Sequence, residues 1–265
     1  MLTYSAPSTS YSKLHFKFES AKAFMDNFQR IAFFWVGTNT EIPAMLVQSI
    51  RLAFGDAMEI VQLSDKGTPR IAGVTRCKNL KLSPRIMVAR LEAYASLSER
   101  IPTLYLDADM LIVRPFDLPS LAENEIGVTH RDIDDSGLIN WRFPIEYPEL
   151  EGKKIEAEMP YIYSFIYAST EILFLRQLTQ LRKLPKRYQE WYGDQITLKK
   201  ELGSARFVLK DFDAGLYNRT VKSAIEFKEL TASMPDLCIT HFKGARAKDE
   251  MRYALSYLNE SQKPS

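Results

Sequence analysis

Two carboxylates one residue apart, Asp107 and Asp109 with Ala108 between them, carry the strongest chemical signal in this chain of 265 residues. They follow Leu104-Tyr-Leu106 and precede Met110-Leu-Ile-Val113, so they lie between two apolar runs. In extended chain, side chains at i and i+2 point to the same face, and both carboxylates converge on one spot. Leu104 to Leu106 reads as a buried strand, and two unpaired anions at its end are costly. A divalent cation removes that cost. Oxygen ligands suit Mg²⁺ or Mn²⁺, ions that keep positions open for water and for substrate phosphates. Asp is also common in turn and helix caps, and the pair alone leaves both readings open.

Three further polar signals fall at the ends of apolar segments. His241-Phe-Lys243-Gly244 offers an imidazole ligand, a cation for phosphate and a glycine that lets backbone approach closely. Gly193-Asp194-Gln195 follows Trp191-Tyr192 and opens a helix, where Asp194 is either a site carboxylate or a plain N-cap. Arg90 lies on a helix that leads into the Asp107 strand.

The elements that must position these groups alternate in type. Residues 1 to about 12 read as disordered, and Lys13 to Arg30 as an added helix. Ile31-Ala-Phe-Phe-Trp-Val36 is an apolar run ended by Gly37-Thr38, which reads as a buried strand and its turn. A helix over 44–54, with Pro43 near its first turn and Gly55 at its end, precedes a second strand over 58–63. Strand, helix and parallel strand make a βαβ unit, in which ligands bind outside the carboxyl ends of the strands. Ser83 and Pro84 predict the start of a helix over 84–97. Further on, the patterns predict strands over 125–129, 161–168 and 237–240, and helices over 171–184, 195–202 and 246–258. The polar stretch from Asp132 to Pro160 reads as a lid or acceptor loop.

Length and pattern together predict one large α/β domain with a mixed, mostly parallel sheet flanked by helices. It divides into an N-terminal extension over 1–29, a central α/β domain over 30–245 and a C-terminal helix and tail over 246–265. With 35 basic and 33 acidic residues, net charge does not favour nucleic acid as a partner. Two cysteines, Cys77 and Cys238, are too few for a disulfide framework or a thiolate zinc site, and a reducing cytosol fits. No secretory signal pattern and no membrane-spanning run is read, so the expectation is a cytoplasmic protein, at most peripheral at a membrane.

Taken together, these segments resemble the GT-A fold glycosyltransferases, most closely the family 8 type that includes glycogenin-like and lipopolysaccharide galactosyltransferase-like enzymes. The resemblance runs from about Ile31 to Gly244. It implies Asp107, Asp109 and His241 as ligands of Mn²⁺ or Mg²⁺, with Ala108 beside them. It places Arg90, Lys243 and Gly244 at the phosphates of a UDP-sugar, and Trp35, Gly37 and Thr38 at its base and ribose; a plain core role for Trp35 stays open. Asp194 would hold sugar hydroxyls and Gln195 would face the anomeric carbon, with retention of configuration. The acceptor would be a hydroxyl of a saccharide, a lipid-linked glycan or a protein. Two departures stand out. Tyr163-Ser164-Phe165 replaces the family's Asn-Ser/Ala-Gly on the acceptor side, and Ala245-Arg246-Ala247-Lys248 lacks the family's Trp, with Arg246 either supplementing the phosphate site or solvating the last helix. Two other readings remain, a non-catalytic nucleotide-sugar binder and a phosphohydrolase using Asp107 as nucleophile. The second is disfavoured because a complete βαβ unit precedes the motif.

Overall fold

A computed structural model describes residues 28–131 and 147–261. The apolar run that begins the domain is β1 (Arg30–Phe34), buried at every position. α1 (Glu41–Phe54) returns the chain to β2 (Glu59–Asp65), which pairs parallel with β1. β3 (Arg76–Leu80) extends the sheet outward. α2 (Ile86–Ala95) crosses to β4 (Thr103–Leu106), which lies parallel to β1 on its other side. After β5 (Met110–Ile112) and β6 (Glu125–His130) comes α3 (Ile155–Glu158), then β7 (Tyr161–Ala168), antiparallel to both β4 and β6. α4 (Ile172–Leu181), α5 (Lys186–Glu190) and α6 (Gly193–Leu202) lead to β8 (Val208–Phe212), the far edge of the sheet. The sheet order is β3-β2-β1-β4-β7-β6-β8. This is the mixed, mostly parallel α/β architecture with flanking helices that the apolar runs predict.

A second, three-stranded sheet completes the site. α7 (Ala214–Tyr217), β9 (Arg219–Thr220) and α8 (Ala224–Ser233) lead to β10 (Ile239–His241), and α9 (Ala245–Ser261) follows. β10 pairs antiparallel with β5, placing His241 opposite Met110, one residue beyond Asp109. This pairing brings a residue 132 positions downstream of Asp109 back to it.

Three apolar cores hold these layers. One lies under α2, α4 and α6, built on Leu91, Tyr94, Ile166 and Phe174. A second packs α1 on the opposite sheet face through Ile31, Leu46 and Leu104. The third joins β5 and β10 to α8 and α9 through Leu111, Phe227, Phe242 and Met251.

Several boundaries differ from those expected. Arg30 begins β1 and is buried against Glu59 at 2.5 Å, so it does not end a preceding helix; residues 1–27 lie outside the described set. Helix α2 begins at Ile86, not Pro84, because Arg85 is extended at φ −89° and ψ 120°. Ser83 is engaged otherwise, accepting from Arg85 N at 3.2 Å and donating its own N–H to Glu92 at 2.7 Å. Of the expected lid, 132–146 lie outside the described residues. From Tyr147 onward the segment is anchored by Tyr147, Leu150 and Met159, which pack with Tyr188 in one small core, while 151–154 are exposed. No helix among the described residues is long and apolar enough to cross a membrane.

Candidate active site

The carboxyl ends of β1 and β4 lie side by side, because Phe33 pairs with Leu106. Asp107, Ala108 and Asp109 therefore leave the sheet beside the loop that carries Trp35, Gly37 and Thr38. β10 supplies His241 from the second sheet. Among the described residues, Asp107, Asp109 and His241 form the one group whose ligand atoms lie within 4.8 Å of one another. Their backbone is fixed on two sides: Asp107 N donates to Ser164 O at 3.2 Å and Phe242 N to Asp109 O at 2.9 Å.

The donor set fits a hard divalent cation, and the histidine's second nitrogen shows why. His241 Nδ1 lies 3.1 Å from Asn218 Oδ1, and the Asn218 amide donates to Thr129 Oγ1 at 2.8 Å. Asn218 Oδ1 is thus the acceptor and His241 Nδ1 the donor, with Ser164 Oγ at 3.2 Å supporting the same nitrogen. A partner on one ring nitrogen fixes the tautomer and directs the other at the ligand. Nε2 points at Asp109 Oδ1, 3.2 Å away. In that tautomer a lone pair faces a carboxylate oxygen, an arrangement a cation between them makes favourable.

Lys248 is a second cation at this spot, 2.9 Å from Asp109 Oδ2. Burial pushes the Asp109 carboxyl up, but His241 when it carries a proton on Nε2, and Lys248, outweigh it and hold it below the ordinary range. Sequence reasoning singled out Arg246 here; Arg246 is exposed, and Lys248 reaches inward. The helical spacing carries the signal, since Lys248 sits one turn after Gly244 and donates its N–H to Gly244 O. Gly244 itself holds φ +87°, a conformation side chains disfavour, and Lys243 beside it is half-buried.

Arg90 lies between two of the carboxylates. Its guanidinium is 2.9 Å from Asp194 Oδ2 and 3.5 Å from Asp107 Oδ1, and sits 5.7 Å over the Tyr163 ring. Burial works against the Arg90 charge, yet Asp107 and Asp194 hold its pKa above the ordinary value. Asp194 is 1% exposed; burial raises its carboxyl, with Arg90 opposing. The N-cap of α6 is Tyr192, so Asp194 stands inside the first turn and accepts from Gln195 N at 2.8 Å. Gln195 Oε1 accepts from Arg131 at 2.7 Å. Neither Arg131 nor Asn218 has a spacing pattern to mark it in the sequence.

The Tyr163-Ser164-Phe165 departure backs the site from beneath: Tyr163 under Arg90, Ser164 on His241, and Phe165 in the core. Toward the base end, the Trp35 indole donates to Asn39 O at 2.9 Å and packs on the edge of the α1 core. Gly37 N donates to Thr68 Oγ1 at 2.9 Å, and Thr68 donates to Asp65 at 2.6 Å. Thr38 is exposed beside them. Asp65, Val36, Ser83 and Ala89 line a cavity of about 280 Å³ at the carboxyl ends of β1 and β2. Asp65 is a further candidate that sequence reasoning did not single out.

No protein-family model matches the chain, and no curated protein matches it. Solved structures do. The bifunctional glycosyltransferase WbbM, in its apo form, aligns with a TM-score of 0.54 and 11% identity over 89% of this chain and 52% of that one. The apo form of the glycosyltransferase GlyE of Streptococcus pneumoniae TIGR4 aligns with a TM-score of 0.53 and 14% identity over 89% of this chain and 63% of its own. The chain thus spans between about half and just under two-thirds of the length of the structures it matches. What they share with this chain is the fold, which is that of GT-A type glycosyltransferases.

Proposed function

We propose that this chain is a metal-dependent glycosyltransferase of the family 8 type. It would move a hexose from a UDP-sugar to a hydroxyl acceptor with retention at the anomeric carbon. The observation that carries this reading is the convergence of Asp107, Asp109 and His241 within 4.8 Å at the carboxyl end of β4, on a glycosyltransferase fold.

Asp107, Asp109 and His241 would hold Mn²⁺ or Mg²⁺, which when bound stabilises the leaving diphosphate as a Lewis acid. Asn218 and Ser164 orient the imidazole. Lys243, with Gly244 giving backbone access, would contact the diphosphate. Lys248 stands ready to add a second positive charge there. Arg90 fixes Asp107 and Asp194 relative to each other, and offsets their charge near a dianionic ligand. Asp194 would hold sugar hydroxyls, which requires the site to open onto its buried carboxylate, and Gln195 would face the carbon under attack, held by Arg131 on its carbonyl side. The base and ribose would lie along Trp35, Gly37 and Thr38, toward the cavity that Asp65 lines.

The test is turnover. The chain with Mn²⁺ should release UDP from UDP-glucose or UDP-galactose, and NMR of the transferred sugar should show the donor's anomeric configuration. Absence of cleavage from any nucleotide sugar, with tight UDP binding intact, would favour a non-catalytic binder instead.

A further inference from the structure

An aromatic platform stands beside Gln195 that the donor side of the site does not use. Trp191 is 48% exposed, whereas its aromatic neighbours Tyr147 and Tyr188 are buried. A single exposed apolar side chain is ordinary on a protein surface, but the backbone around this one is tightly fixed. The Trp191 carbonyl accepts from Tyr147 OH and from Gly193 N, each at 2.9 Å, and its N–H donates to Arg187 O at 3.1 Å. Next to it Tyr192 holds φ +63°, a left-handed conformation that a bulky aromatic residue rarely adopts and that surrounding contacts must enforce. Gly193 follows where a Cβ would meet Tyr188 O at 2.2 Å and Leu181 Cδ1 at 2.3 Å. Across this strained turn Trp191 stays 48% exposed, while Asp194 is buried and Gln195 half-buried.

The platform is joined to the site. The Tyr192 ring meets the Trp191 indole edge-on, with centroids 6.1 Å apart. Arg131 binds Gln195 Oε1 and, at 3.1 Å, Met159 O. Trp191 and Tyr192 thus stand on the turn that opens α6, one turn before Gln195, and Ile196 N donates to Tyr192 O at 3.1 Å; Arg131 meets the same helix end through Gln195. On the reading given above, Gln195 faces the anomeric carbon, so this helix end borders the path of the incoming hydroxyl.

We infer that Trp191, Tyr192 and Arg131 form an acceptor subsite for a pyranose ring, with the apolar face of the sugar stacked on the indole. This inference rests on the nucleotide-sugar reading of the donor site. A flat aromatic face bordered by a phenol and a guanidinium matches the two sides of a sugar, its C–H face and its ring of hydroxyls. An acyl chain would need an apolar groove.

The test uses the whole chain with Mn²⁺ and UDP. Methyl α-glucopyranoside, methyl β-galactopyranoside and lactose are the probes, and glycerol is the hydroxyl control. Saturation-transfer NMR should show at least one sugar binding better than glycerol. Trp191→Ala should weaken that sugar by about tenfold or more, and Trp191→Phe should keep most of the binding, since a ring remains. The Kd for UDP should stay within twofold in both variants. Sugar binding unchanged in Trp191→Ala, or no sugar bound better than glycerol while UDP binds, would overturn the acceptor subsite alone. Failure of UDP to bind the unaltered chain would overturn the donor reading, and the subsite with it.

Discussion

Arg90 on α2 and Asp194 on α6, 104 residues apart in the chain, meet in an ion pair of 2.9 Å whose carboxylate is sealed from water. The same guanidinium reaches Asp107 at 3.5 Å. One side chain thus links the proposed metal ligands to the residues proposed to hold the sugar. Breaking a buried pair from one side leaves an uncompensated charge, which costs far more than the net value of the pair.

Arg90→Gln should therefore destabilise the protein by about 3 kcal/mol near neutral pH. The pH dependence has a definite sign. Burial raises the Asp194 carboxyl above its ordinary 3.8, so its protonated form favours the folded state. That contribution is complete below the ordinary value and lost as pH rises through the raised one. Without Arg90 to oppose burial the carboxyl rises further, so the variant gains more than the parent as pH falls, and urea unfolding at pH 7.5 and pH 5 should show a smaller gap between them at pH 5. An equal gap at both would mean that Asp194 is not stranded.

Asn218→Ala removes the acceptor that fixes His241 Nδ1 at 3.1 Å. Loss of such an orienting group should weaken Mn²⁺ binding by about ten- to a hundredfold. Calorimetric titration of Mn²⁺ into parent and variant checks this, with circular dichroism confirming an intact fold. Unchanged affinity would separate Asn218 from the metal site.

Lys243→Ala should weaken UDP much more than uridine, because an ammonium at the diphosphate has nothing to hold in the nucleoside. Competition titrations with the two ligands give the ratio. Equal losses would place Lys243 at the base or in folding.

Gln195→Ala should slow donor cleavage by about a hundredfold, the loss expected when a group acting in the transition state is removed. The Kd for UDP should stay nearly unchanged, since the metal ligands and Lys243 hold that half independently. Single-turnover kinetics and UDP titration together check the split. A fall in UDP affinity with unaltered cleavage would reverse the assignment.

Much of this arrangement was legible from local pattern. The strand over Tyr161–Ala168 is legible at both its ends, because six of its eight residues are Tyr, Ile or Phe, with strong β preference, and Pro160 and Ser169-Thr170 punctuate it. Asp107 and Asp109 were legible because spacing alone sets a shared face. Edge and short elements were not. Val208-Leu-Lys-Asp-Phe212 is an edge strand with no fully buried residue, so it lacks the apolar run that marked β1 and β4. β9 spans two residues and exists only through its pairing with β10. Asn218 and Arg131 escaped for a related reason: each acts through a partner distant in sequence, His241 and Gln195, and no local period encodes such a contact. Lys248 was within reach, since helical spacing from Gly244 turns it back toward Asp109, where Arg246 cannot point.

The most direct test of the central claim is calorimetric titration of UDP with Mn²⁺ present and again with EDTA. Asp107 and Asp109 repel a diphosphate unless a divalent cation lies between them, so binding should be strong with Mn²⁺ and largely lost in EDTA, and Asp109→Asn with Mn²⁺ should resemble the chelated protein. Equal UDP affinity with and without the metal would contradict the account, and would leave Lys243 and Lys248 as the cations that the diphosphate meets.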